Sequence, residues 1–234
     1  MAQYKKFFTM SYDDGVIWDK PFIEILNAYG LKCTFNLNSG LLGQKVDLTQ
    51  KGVTFNHDKV RPEDVHDLYL GHEVATHSRT HPWLLRLSRE EIIDQIIPDR
   101  EALSALVGYD VNGHAYPSGP EDQHVADALR DDCGIRYARN VADTHAFPMP
   151  TDLYHWAPTC HHTEDDLFEL ADKFIAAEPT DGDMLFYVWG HTYEFNINDD
   201  WDRLRRFCER MAGHADITYA TNGQIVDHIL GIRG

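Results

Sequence analysis

The chain has no apolar run of about 18 residues, so nothing in it reads as a membrane-spanning helix. Basic residues are in short supply. There are 21 Lys and Arg against 38 Asp and Glu, and the formal net charge is −17. A surface of that sign repels nucleic-acid phosphates and anionic membranes, so neither is an expected partner. It tolerates a bound cation without requiring one. Cysteine is scarce as well: Cys33, Cys133, Cys160 and Cys208 lie far apart in sequence. That excludes a CxxC redox motif and a zinc knuckle, and it implies free thiols. The segment MAQYKKFFTMSYDDG carries no apolar h-region and no cleavage site, so a cytoplasmic location is expected. No internal repeat and no Pro/Gly/Ser-rich linker divides the chain. The composition, 43% hydrophobic and 25% charged, is that of a folded globular protein. A single domain over 1–234 is expected, since α/β barrels often run to about 200–250 residues as one unit.

Strand-like and helix-like patterns alternate throughout. Residues 6–12 (KFFTMSY) form a β-type run that ends in Asp13-Asp14-Gly15, a turn signal. Helical spacing follows over 18–28, then strand alternation over 31–37. Residues 39–58 contain Gly40, Gly43 and Gly52 with little periodicity and read as a loop. A short helix is expected over 61–70 and a strand over 73–76. Ser88 and Glu91 fit a capping box that opens a helix over 88–107. Further strands are expected at 113–117, 134–140, 153–158, 183–189 and 217–220. Further helices are expected at 121–130, 163–177 (capped by Thr163), 201–212 and 222–230. About seven or eight βα units fit a parallel barrel better than an open sheet.

In a parallel barrel the chemistry sits at the C-terminal ends of the strands. Those ends here carry Asp13-Asp14, then His77 and His81, then Tyr116-Pro117-Ser118-Gly119, then Cys160-His161-His162, then Trp189-Gly190-His191. His77 and His81 are four apart, so a helical turn would put both imidazoles on one face. With Asp14 they make a two-His, one-carboxylate set suited to zinc, iron, cobalt or nickel, with positions left for water. Adjacent carboxylates at a strand end point to different sides, so one of Asp13 and Asp14 can hold a metal and the other a water.

SYDDG followed by HSRTH resembles the first two motifs of the NodB-homology polysaccharide deacetylases, carbohydrate esterase family 4. HAYPSG (114–119) is similar to the third motif and VWGH, ending at His191, to the last. The resemblance covers about residues 4–191. It implies a distorted (β/α)7 barrel and metal-dependent removal of acetyl groups from N-acetylated sugars. It also implies that Asp13 is the catalytic base, that Asp14, His77 and His81 bind the metal, zinc first among the candidates, and that His191 is the catalytic acid. Two departures stand out. The Arg of the third motif, which orients the base, aligns with Ala115, and the fourth motif is not recognisable. Arg139, in RYARN, is a candidate for the lost cation and is counted with the substrate contacts.

On this reading the base takes a proton from the attacking water. The oxyanion rests on the metal and on a backbone N–H near Tyr116, and the acid protonates the departing amine. Tyr116, Trp189 and His161 are candidate substrate contacts. Trp189 is as well suited to the core as to a sugar ring. A second metal site built with Cys160 beside His161 and His162 is the lesser possibility there, and Glu194 reads more simply as a surface carboxylate. A small or oligomeric N-acetylated carbohydrate is the expected substrate. Two other readings compete: an amidohydrolase that opens a small cyclic amide or ureide on the same fold, and a non-catalytic sugar- or metal-binding relative. A helical outer surface suits a monomer and an oligomer equally.

Overall fold

Strand β1 (Lys6–Asp13) is buried at every position. Its sequence alternates accordingly. Phe8, Met10 and Tyr12 face outward and join a core with Phe22, Leu204 and Phe207 of the surrounding helices. Phe7 packs on the other face against Tyr137, Leu185, Tyr187 and Ile225. Above it on that inner stripe, Thr9 donates to Asn222 Oδ1 and Ser11 accepts from Asn36. The stripe ends at Asp13, so strand periodicity alone aims this carboxylate into the barrel. The structure is a computed structural model and describes residues 4–50 and 52–232. Residues 1–3, the head of the segment inspected for an export signal, lie outside the described residues, as do 51 and 233–234 of the expected domain.

β1 pairs along its whole length with β9 (Met184–His191), in a register that sets Asp13 opposite His191. Its other edge is shared. β2 (Thr34–Leu37) pairs with Ser11–Asp13, and β10 (Ile217–Tyr219) pairs with Lys6–Phe8. From β2 the sheet continues through β5 (Glu73–Thr76), β6 (Gly113–Ala115) and β7 (Tyr137–Arg139), and from β9 it reaches β8 (Cys160–His161). Every pairing in this curled sheet is parallel. This is the expected distorted (β/α)7 architecture. The distortion lies between β7 and β8, where residues 153–158 form no regular strand. They meet β7 through a bridge, Arg139 to Trp156, with Trp156 N donating to Ala138 O and Asn140 N to Trp156 O, and through Ala138 N donating to Leu153 O. Pro158, which has no N–H, closes the segment.

Helices α1 (Asp19–Ala28), α3 (Arg89–Val107), α4 (Gln123–Asp131), α5 (Leu167–Ala176), α7 (Trp201–Met211) and α8 (Asn222–Ile229) fill the connections, with a single turn α2 (Val65–Leu68). The Ser88–Glu91 capping box is formed in both directions, and Gly108 closes α3 at φ +80°. Besides the strand expected at 153–158, three expectations change. The stretch read as a loop holds an antiparallel hairpin, β3 (Asp47–Gln50) and β4 (Val53–Asn56). A short helix, α6 (Thr192–Ile197), follows His191 directly. α5 starts after Asp166 rather than at Thr163, whose hydroxyl meets His161 Nδ1 at 2.7 Å instead. All four cysteines are free, as the sequence implied, and the structure buries them. Among the described residues no helix is long and apolar enough to cross a membrane.

Candidate active site

The rim at the C-terminal ends of β1, β5, β6 and β9 surrounds a cavity of about 480 Å³. Asp13, Asp14, His77, His81 and His191 line its floor, with Leu41, Val46, Leu48, Val141 and Tyr193 forming apolar walls. Asp13 is buried, and its carboxylate has charged and neutral partners. Arg139 Nη2 donates to both oxygens at 2.6 Å, and Asn36 Nδ2 donates to Oδ1 at 2.8 Å. Burial pushes this carboxyl up. The charges of Arg139, His77 and His191 and the Arg139 hydrogen bond outweigh burial and hold it below the usual range. Arg139 itself is 1% exposed, with its guanidinium on Asp13 and 4.9 Å from the Trp189 ring. It faces a neighbouring side chain rather than a substrate.

Asp14 leaves the strand at φ +85°, in the left-handed region, and so diverges from Asp13. Lys59 Nζ donates to its carbonyl at 2.7 Å, and His57 Nε2 lies 3.2 Å from Oδ2. Burial raises this carboxyl, but Lys59 and His57 prevail and hold it well below the usual range. Asp14, His77 and His81 each offer a ligand atom within 4.8 Å of the others. The two imidazoles do not share a helical face. The 77–81 segment is irregular, with Ser78 and His81 both at φ +58°, and this turn brings the rings to 4.8 Å. His77 Nδ1 is 2.7 Å from the Ala115 carbonyl, which accepts a hydrogen bond from it and leaves the Nε2 lone pair for the Asp14 and His81 side. Burial holds His77 down at about 4, so its ring is neutral. Two imidazole nitrogens and an ionised carboxylate fit a divalent cation of the zinc class.

His191 ends β9. Glu194 Oε2, one turn into α6, is 3.4 Å from its Nδ1. Burial alone would lower the imidazole. Glu194, helped by Asp14 and Asp13, overcomes it and raises His191 to about 9. The remaining candidates differ in position. Trp189 lines the cavity with its Nε1 donated to Asp143. Tyr116 also touches the cavity, but its hydroxyl donates to Tyr154 O and its N–H to Arg139 O. Tyr116's own amide is thus paired within the sheet. His161 points away, toward Glu194 at 3.2 Å. Cys160 faces the outer core rather than the histidines.

The profile of the polysaccharide deacetylase family matches residues 2–138. The chain belongs to this family. Its fold is similar to that of the Xyl-CE4 domain of a multidomain xylanase from the hindgut metagenome of Trinervitermes trinervoides (18% identity, 98% of this chain and 93% of that one, TM-score 0.60). It is also similar to a peptidoglycan deacetylase from Bacillus subtilis (18%, 98% and 94%, TM-score 0.56) and to a CE4 family pseudoenzyme from Bacillus anthracis (17%, 97% and 67%, TM-score 0.54). Among curated proteins none matches. In this polysaccharide deacetylase family chain, sequence reasoning missed Asn36, His57, Lys59 and the role of Glu194. Asn36 had a usable signal: it lies on the strand beside β1 at the level of Asp13. His57 and Lys59 follow a hairpin that the sequence pattern did not reveal.

Proposed function

We propose that the chain is a metal-dependent hydrolase that removes acetyl groups from N-acetylated sugars, with 1–234 forming one deacetylase domain. The observation that carries this reading is the Arg139–Asp13 ion pair beside the Asp14, His77 and His81 set. It restores at Asp13 the cation that Ala115 cannot supply, and it weakens the non-catalytic alternative that this departure favoured. A divalent cation held by Asp14, His77 and His81, zinc first and then cobalt, nickel or iron, would polarise the amide carbonyl and acidify water.

The chain's own residues do the rest. Asp13, ionised and oriented by Arg139 and Asn36, accepts a proton as water attacks the carbonyl carbon. His191, protonated under the influence of Glu194, gives its proton to the nitrogen as the C–N bond breaks, releasing acetate and an amine. Trp189 and the apolar walls offer a surface for a sugar ring, and the cavity volume suits a small or oligomeric substrate. The test is acetate release across N-acetyl sugars beside metal analysis. About one equivalent at this site in wild type, its loss in Asp14→Ala, and a roughly 10²–10⁴-fold drop in kcat for metal-replete Asp13→Asn are expected. Full activity in Asp13→Asn overturns the reading.

A further inference from the structure

A second group of donors gathers at the end of β8, behind His191. His161 ends the strand, His162 follows it, and Glu194 reaches back from α6. Their ligand atoms lie within 4.8 Å of one another. Glu194 Oε2 is 3.2 Å from His161 Nε2, 3.5 Å from His162 Nε2 and 3.4 Å from His191 Nδ1. A tetrahedral ion with bonds of about 2.0–2.1 Å spaces its ligand atoms by roughly 3.3–3.4 Å, so these separations match the edges of such a site.

His162 provides the second observation. It is 5% exposed, yet neither ring nitrogen has a hydrogen-bond partner. Buried polar atoms are seldom left idle. The ring is held in place, stacked on Phe195 at 4.2 Å and Tyr12 at 5.5 Å. Gly190 admits it: a Cβ there would overlap His162 Nδ1. With Nδ1 against Gly190, Nε2 is the nitrogen aimed at Glu194. His161 is oriented the same way: its Nδ1 accepts from the Thr163 N–H at 3.3 Å and lies 2.7 Å from Thr163 Oγ1, which leaves Nε2 facing Glu194, and binding a cation there would displace the Nε2 proton.

We infer that His161, His162 and Glu194 form a second cation site for a divalent ion of the zinc class, with His191 Nδ1 in reach as a fourth donor. Imidazole-rich donors select zinc, cobalt or nickel over magnesium and calcium. An ion bound to Glu194 would offset the negative charge that faces His191, so filling this site weakens that partner. This consequence rests on the proposed role of His191; the binding itself does not.

The test titrates the metal-stripped full chain with Zn²⁺ and counts bound equivalents. Two are expected in wild type. Asp14→Ala and His162→Phe should each retain one, and the double variant none. Phe keeps the ring stack, and Glu194→Gln provides a second route to the same loss. A single wild-type equivalent that Asp14→Ala removes and His162→Phe leaves in place overturns the proposal. So does a lone zinc peak at Asp14 in anomalous diffraction from zinc-soaked wild-type crystals. Each site has its own variant, so failure of one reading is not mistaken for failure of the other. The second equivalent should lower acetate release severalfold in wild type, and unchanged release at two equivalents overturns the coupling to His191.

Discussion

At the scale of residues, the active site is a set of paired opposites whose charges depend on neighbours. Asp13 stays ionised because Arg139 offsets its burial. Arg139→Lys keeps the charge but loses the planar fork. It should lower kcat/KM by roughly 10²-fold through misplacement of the base. The acid limb of the pH profile should also move upward, because a less well-paired Asp13 takes up a proton sooner. His191 stays protonated up to about 9 because Glu194 opposes its desolvation. On the proposed mechanism activity needs that proton, so it should fall as pH rises through this value. In metal-replete Glu194→Gln the alkaline limb should move to lower pH, and a profile superimposable on wild type would remove Glu194 from the mechanism.

At the scale of elements, stability rests on local signals that are strong in some places and absent in others. α3 has its capping box, so Ser88→Ala should cost about 1 kcal/mol and lower Tm by roughly 2–4 °C in a thermal melt. That helix was legible because its cap and its apolar stripe agree. β1 and β9 were legible from their buried runs, and the metal-set residues from their positions at strand ends. The hairpin β3–β4 was not, since its positions are mostly exposed and glycine interrupts it. α6 has six residues, too few for a 3.6-residue period to show, and so the placement of Glu194 was lost with it. β8 has two residues and is held as a strand by β9 rather than by its own pattern. The pairing of Arg139 with Asp13 joins residues 126 apart, and only the barrel brings them together.

At the scale of the whole molecule, burial of neutral histidine links folding to pH. His72, outside the active site, is lowered to about 4 by burial, with Lys32 adding to it. The unfolded chain protonates this ring near the ordinary value of about 6.5, and the native state does not until pH reaches about 4. Between those values the unfolded state binds more protons, so stability falls as pH drops. By pH 5 the His72 contribution should be about 2 kcal/mol. Urea denaturation of His72→Asn at pH 7 and pH 5 should show a smaller loss than wild type, and an equal loss would place the linkage elsewhere. Asp19 and Asp99, both raised to about 7 by burial, act in the opposite sense, favouring the native state below the ordinary carboxylate range and less so as pH rises.

The register of β1 against β9 also acts as a ruler. Asp13 and His191 sit on directly paired rungs, so the backbones of the proposed proton acceptor and proton donor are one interstrand spacing apart, about 4.8 Å. An insertion of one residue in either strand would move one partner to the opposite face of the sheet, so the lengths of the two strands can change only together.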